Sequence, residues 1–416
     1  MPNFVEPITA ADGTPLKKKL ARALFRSKLR AAGLVLPLFA FILCTFVVPI
    51  FALMVQGVHN DTFYTYMPRT AEALEDWDGS SLPSELVFAT LAKELAKGKK
   101  ERTVGKVATR VNRQYSGARS TFTKTARKAV KMEAPFKDAI LKADKKWKRV
   151  EFWQAIKLTS ETWTPAFYGA ALDYELSLNE GFERKAEKER IHVKLFWRTL
   201  VISAVVMGFC LLLGYPVAYL LATLPLKTSN LLMILVLLPF WTSLLVRTTA
   251  WIAILQSQGV VNDILVWIGV TSDDSRFSLI YNMTGTVVAM THILLPFMVL
   301  PLYSVMKTIP PSYVRAARSL GATPTLAFLK IYLPQTVPGI GAGGLLVFIL
   351  AIGYYITPAL VGGQSGVLIS NMIAFHMKSS LNWSLAAALG GILLTGVLLL
   401  YWAYDRVVGI DNVKLG

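Results

Sequence analysis

Six apolar stretches, each about twenty residues long, decide most of what this chain can fold into. They run roughly Leu34–Val55, Thr199–Leu224, Leu231–Leu255, Thr284–Met306, Val337–Val361 and Trp383–Tyr404. A helix of about 20 residues crosses a hydrocarbon layer of about 30 Å. In lipid, only helices and closed barrels satisfy their own backbone groups, and these runs lack the two-residue alternation of barrel strands. The reading is an all-α membrane protein with six transmembrane helices. A 54% apolar composition and a mean hydropathy of +0.47 agree with it. Gly214-Tyr215-Pro216 predicts a kink in the second span.

Short basic flanks set the orientation. Lys17, Lys18, Lys19, Arg22, Arg26, Lys28 and Arg30 precede the first run, which predicts a cytoplasmic N-terminus. Counting spans then places Lys227, the stretch holding Arg315, Arg318 and Lys330, and the tail with Arg406 and Lys414 on the cytoplasmic side. Segments 256–283 and 362–382 fall outside. The first run is too long for a signal-peptide core and no small-x-small site follows it, so it reads as a retained span. The expected organisation is a cytoplasmic tail over 1–33, a span over 34–56 and an extracytoplasmic helical insert over 57–192. A core over 193–410 follows, with spans two to six and a cytoplasmic loop at 307–336, then a cytoplasmic tail over 411–416.

The insert holds most of the acidic residues and over half of the basic ones. Ser81 to Lys97 reads as a helix with Ser81 or Ser84 as cap. Tyr115 to Lys157 reads as one or more Lys- and Ala-rich helices carrying Phe136, Trp147, Phe152 and Trp153, interrupted by Pro135. A basic stripe with aromatics fits nucleic acid, anionic lipid or a protein partner. An extracytoplasmic position argues against nucleic acid. Partner docking and a plain solvated insert both remain open.

The predicted spans contain no Asp or Glu. Arg247 is their one clear ion: it either serves the transport path or snorkels from the end of its span. His292 lacks the acidic companions of a proton relay and reads as a polar helix contact. Cys44 and Cys210 offer neither a disulfide framework nor metal spacing, and read as small buried hydrophobes. The glycines of the fifth run (Gly339, Gly341, Gly343, Gly344) predict close helix packing. No metal, cofactor or catalytic cluster is expected. A secondary transporter would want intramembrane acids or broken inverted repeats, neither of which the sequence displays. A membrane enzyme would want a nucleophile or acid–base cluster. The chain carries no Gly-x-x-x-x-Gly-Lys-Ser/Thr phosphate cradle, so any ATP hydrolysis is expected in a separate subunit. Leu360-Val361-Gly362-Gly363-Gln364 superficially matches an ATPase signature, but reads as a glycine turn leaving a span.

Between the fourth and fifth runs, Val314 to Pro334 reads as helix, glycine break, helix. Pro310 and Pro311 stop the preceding helix, and Ser312 is expected to cap the next. Tyr313, Ala316, Ala317 and Leu320 fall on one face. Gly321 suits the left-handed position after a helix end, and Thr323-Pro324 supplies an N-cap and a first-turn proline. Pro334 is expected to end the second helix.

This elbow resembles the cytoplasmic coupling loop of permease subunits of ATP-driven (ABC) importers: Glu-Ala-Ala, three residues, Gly, nine residues, Ile-x-Leu-Pro. Ala316, Ala317, Gly321, Ile331, Leu333 and Pro334 match, while Arg315 stands where the glutamate often stands. Further stretches are similar to the spermidine/putrescine importer permeases: Phe196–Leu200, Leu213–Leu220, Leu238–Ser243, Leu295–Tyr303 and Gly353–Leu360. The resemblance implies a type I importer permease in a bacterial inner membrane. Its implied partners are a cytoplasmic ATPase dimer, a second permease and an extracytoplasmic binding protein. It also implies ATPase coupling through Arg315, Ala316, Ala317, Gly321, Ile331, Leu333 and Pro334, and a pathway or gate near Trp241, Arg247, Tyr354 and Tyr355. A polyamine or related amine is the expected cargo; an opine, an amino-acid derivative or a ferric ion remains open.

Overall fold

Long apolar helices do form, and the prolines inside them decide their shape. The structure, a computed structural model, describes residues 16–178 and 180–408. The stretch before Leu16, the tail 411–416 with Lys414, and the side chains of Lys17, Lys18, Lys19, Arg22 and Arg26 lie outside the described residues. Among the described residues, six helical segments are long and apolar enough to cross a membrane: Ser27–Gln56, His192–Thr223, Leu244–Trp267, Met283–Thr308, Pro324–Gly353 and Trp383–Arg406.

The chain divides after Gln56 into two units. The first is a helical rod: Leu16–Ile42, a π-turn over Leu43–Val47, then Val48–Gln56. Pro49 has no N–H for the Thr45 carbonyl, and its ring crowds that turn; a wider turn makes room. The same device recurs at Phe328–Tyr332, just before Pro334. This overturns the expectation that Pro334 ends the elbow: the helix passes through it and continues as Leu333–Gly353. Cys44 is exposed on the rod, so the expected burial holds for Cys210 alone.

In the second unit the helices His192–Thr223, Met283–Thr308 and Leu333–Gly353 pack around Ile202, Val206, Cys210, Leu294, Met298 and Val347. Glycine allows the close approach the sequence predicted. A Cβ on Gly343 would lie 2.9 Å from Met298 Sδ and 3.1 Å from the Met298 carbonyl. One on Gly339 would lie 3.3 Å from Leu302 Cα. The second span runs as one helix through Pro216.

The third run is not the continuous helix expected over Leu231–Leu255. Leu226–Leu237 passes into a 3-10 turn, Leu238–Trp241, and a new helix begins at Leu244. Pro239 cannot donate into the preceding turn, and Ser243 caps the restart, its Oγ accepting from Val246 N at 3.2 Å. The fifth run breaks likewise at Tyr354-Tyr355 and resumes as Ile356–Val361. Gly362 and Gly363 then turn the chain: Gly363 has φ +50° and leaves no room for a Cβ beside the Tyr281 carbonyl.

The insert between the first two spans is helical, with helices such as Glu85–Glu101, Val104–Gln114, Ala118–Ala129 and Val150–Ser160. A two-stranded antiparallel hairpin, Tyr174–Ser177 with Gly181–Arg184, departs from the all-α expectation. Trp147, Phe152 and Trp153 are fully buried against Phe88 and Phe122. They are core residues and form no basic-aromatic binding stripe. Three carboxylates cap the N-termini of distant helices. Glu94 accepts from Arg69 N, Thr70 N and Thr70 Oγ1 at 2.9, 3.0 and 2.6 Å. Glu85 accepts from Phe136 N at 2.6 Å. Asp173 accepts from His192 N and Val193 N at 3.1 and 2.9 Å, at the head of the second span. An anion there meets free N–H groups and the positive end of the helix dipole.

Insert and core belong to the same unit. Arg113 reaches Asn382 Oδ1 at 3.1 Å and the Leu381 carbonyl at 2.9 Å. Asn60 donates to Ser384 Oγ at 2.9 Å. Phe167 and Ala171 pack with Leu195, Leu385 and Leu389, and Tyr168 lies against Gly391.

Candidate functional site

The elbow begins at Pro311, whose fixed φ suits a first helical position; Ser312 is inside the helix and is not its cap, contrary to expectation. The helix Pro311–Ser319 closes with the pattern expected of a left-handed glycine. Gly321 has φ +90°, its N–H bonds the Arg318 carbonyl at 3.0 Å, and Ala322 N bonds the Ala317 carbonyl at 3.1 Å. Thr323 Oγ1 then accepts from Leu326 N at 3.3 Å, with Pro324 at the first helical position, as predicted.

Tyr313, Ala316, Ala317 and Leu320 face Leu326 and Ile331 across an apolar groove of about 590 Å³. The small alanines line it between the larger side chains. Leu320 at its rim is 89% exposed, an unusual position for a leucine that has nothing to bind. Arg315 and Arg318 line a separate cavity on another side of the same helix. Of the expected coupling residues, then, Ala316, Ala317 and Ile331 meet at the groove, Gly321 shapes the exit, and Arg315 lies apart. Leu333 and Pro334 lie at the start of the fifth-span helix.

The other four expected residues sit at the two helix breaks. Trp241 ends the 3-10 turn and is 78% exposed. Arg247 lies in the first turn of the restarted helix, near His292 and Tyr354. Its Nε and Nη1 are buried without a hydrogen-bond partner among the described residues. The next residue, Thr248, shares a hydrogen bond of 3.2 Å with Thr357. His292 Nδ1 accepts from Trp251 Nε1 at 3.1 Å, the polar helix contact expected of it.

Sequence reasoning missed the partners of the fifth-span break. Ser370 Oγ donates to the Tyr354 carbonyl at 2.6 Å and Asn371 Nδ2 to the Tyr355 carbonyl at 2.7 Å. Lys378 reaches the Tyr355 hydroxyl at 3.3 Å. An interrupted helix at membrane depth persists only where its freed carbonyls find donors, and the helix Ile369–Lys378 supplies them. A polar pair, Ser370-Asn371, opening a helix after a glycine turn was the available signal.

Residues 210–408 match the family "Binding-protein-dependent transport system inner membrane component". The spermidine/putrescine transport system permease protein PotB of Escherichia coli K12 is 35% identical over 221 residues, covering 52% of this chain and 80% of that one. PotB of Haemophilus influenzae is 34% identical over 225 residues, covering 54% and 78%. The inner membrane ABC transporter permease protein YdcU of E. coli K12 is 31% identical over 222 residues, covering 51% and 70%. With six apolar helices among its described residues and these relatives, this chain belongs to the binding-protein-dependent transport system inner membrane components, the multi-pass permease subunits of ABC importers.

Proposed function

We propose that this permease carries polyamines or related small organic amines into the cell, driven by a cytoplasmic ATPase dimer that grips its elbow. The observation that carries the coupling is the exposed apolar groove lined by Ala316 and Ala317. A partner helix or loop seated there would cover Leu320 and Tyr313, and the alanines let it approach closely. Gly321 sets the exit angle, Ile331 closes the groove, and Leu333 and Pro334 pass the motion to the fifth span. Arg315 contributes from the elbow's other side. ATP-driven closure of the ATPase pair draws two such elbows together, one from this chain and one from a second permease, and rocks the spans between inward and outward access.

The elbow and both termini are cytoplasmic in this reading, and the insert over 57–192 faces outward. There an extracytoplasmic binding protein delivers the cargo. Trp241, Arg247, Tyr354 and Tyr355 flank the pathway, because their helix breaks are where side chains and backbone can rearrange. The amine cargo is supported by the similarity to the two PotB permeases.

Reconstitution with the ATPase, the second permease and the binding protein tests this. Labelled spermidine should enter proteoliposomes only with ATP. Ala317→Leu, which fills the groove, should abolish uptake while the protein still inserts and keeps its melting temperature. Undiminished uptake by that variant would exclude the groove as the coupling surface.

A further inference from the structure

Lys307, Arg315 and Arg318 line a cavity of about 560 Å³ beside the elbow, walled also by the rings of Tyr219, Phe328 and Tyr332. Nothing in this part of the chain offsets their charge. No Asp or Glu occurs over 190–262 or over 275–404. Lys307 Nζ reaches only the Ala222 carbonyl, at 3.4 Å, and neither guanidinium has a hydrogen bond or ion pair among the described residues.

A second observation points the same way. Tyr332 is 7% exposed, held by edge and stacking contacts to Tyr219 and Phe328. Its hydroxyl is buried without a partner among the described residues. Buried polar groups ordinarily have one, and leaving them unpaired is costly. Three cations without an anion line this cavity, and a donor without an acceptor is buried in its wall.

Phosphate chemistry fits this set. A guanidinium fork matches two phosphate oxygens, and a phosphate has further oxygens for a hydroxyl and an ammonium. A carboxylate brings one negative charge to three cations, where a phosphate brings up to about two. The cavity also lies at the right depth. Lys307 is in the last turn of the fourth span, and Ala222 and Thr223 end the second, where headgroups meet a membrane surface. We infer that this cavity binds a phosphate group, either on an anionic phospholipid headgroup or free in solution. The inference rests on the reading that the elbow lies at the cytoplasmic membrane surface. A bound phosphate there ties the elbow's first helix to the ends of three spans.

The test uses the full-length chain with whatever subunits co-purify, in nanodiscs of phosphatidylcholine. One arm adds phosphatidylglycerol to the nanodisc; the other adds inorganic phosphate to the buffer. Native mass spectrometry counts retained lipid and thermal unfolding reports stabilisation. We expect the wild type to respond in at least one arm, which also identifies the source. The pair Arg315→Gln/Arg318→Gln should weaken that response about a hundredfold, two guanidinium contacts at about tenfold each. Tyr332→Phe, which keeps the ring, should weaken it several-fold and serves if the double variant does not fold. No response in either arm, or variants that respond as the wild type does, would overturn the site. So would stabilisation that appears only on adding the ATPase, since a protein carboxylate would then be the counter-ion. Thiol labelling of Ser319→Cys in oriented vesicles reads the elbow's side separately, so a misplaced elbow and an empty cavity give different results.

Discussion

Replacing Gly321 separates the elbow's shape from its stability. Gly321 holds φ +90°, and no atom lies within 4 Å of where a Cβ would sit. Any substitution cost there is therefore backbone strain and not a clash. An L-residue in the left-handed region costs about 1–2 kcal/mol, and a β-branched one is worse placed than most. That is a factor of about 5–30 in the population keeping the native exit. Gly321→Val should thus lower the ratio of in-register to frayed elbows by about that factor, with fraying at the Ala322–Ala317 and Gly321–Arg318 bonds. Gly321→Asn should stay near wild type, because a short amide visits the left-handed region readily. ATP-driven uptake in proteoliposomes reads the effect, with melting temperature and ATPase co-purification alongside. Uptake should fall at least fivefold in Val and little in Asn, with a melting temperature within a few degrees of wild type in both. Equal uptake in all three proteins would refute the claim that the left-handed exit transmits force.

Three further expectations concern the scaffold. Glu94→Ala removes three hydrogen bonds to a buried carboxylate and should cost about 2–4 kcal/mol, measured as a lower melting temperature and faster proteolysis within 57–192. Gly343→Val drives a side chain into Met298 and should cost about 1–3 kcal/mol, with proteolysis of the core reporting looser span packing. Burial, with smaller contributions from His192, Arg113 and Lys185, lowers the His376 imidazole from 6.5 to about 4. The unfolded chain then binds that proton first as pH falls, so stability should decline from about pH 6.5 towards pH 4. His376→Gln should flatten the hydrogen-exchange response of Ile369–Lys378 across that window; an unchanged slope would exclude His376 as its source.

What the sequence made legible was local. Thr323-Pro324 and Gly321 act through neighbours one to four residues away, so their capping roles followed from spacing alone. The span count survived because twenty apolar residues in a row have few alternatives. Contacts made across the chain were invisible. Glu94 caps a helix 24 residues upstream, and Ser370 serves a carbonyl 16 residues before it. Trp147 and Trp153 read as aromatics within a basic stripe, and became core only once the helices around them were assembled. Pro334 misled for a different reason. A proline stops a helix only if the turn before it cannot widen, and the π-turn at Phe328–Tyr332 does widen.

The insert is bolted to two span-length helices. Asp173 seizes the head of the second span, while Arg113, Asn60 and Tyr168 clasp the head of the sixth. Such a fastening has little play, so any tilt between those rods must strain or shear the joint. In the proposed orientation the insert works as a mast: a small tilt of those two helices becomes a larger displacement at its far end.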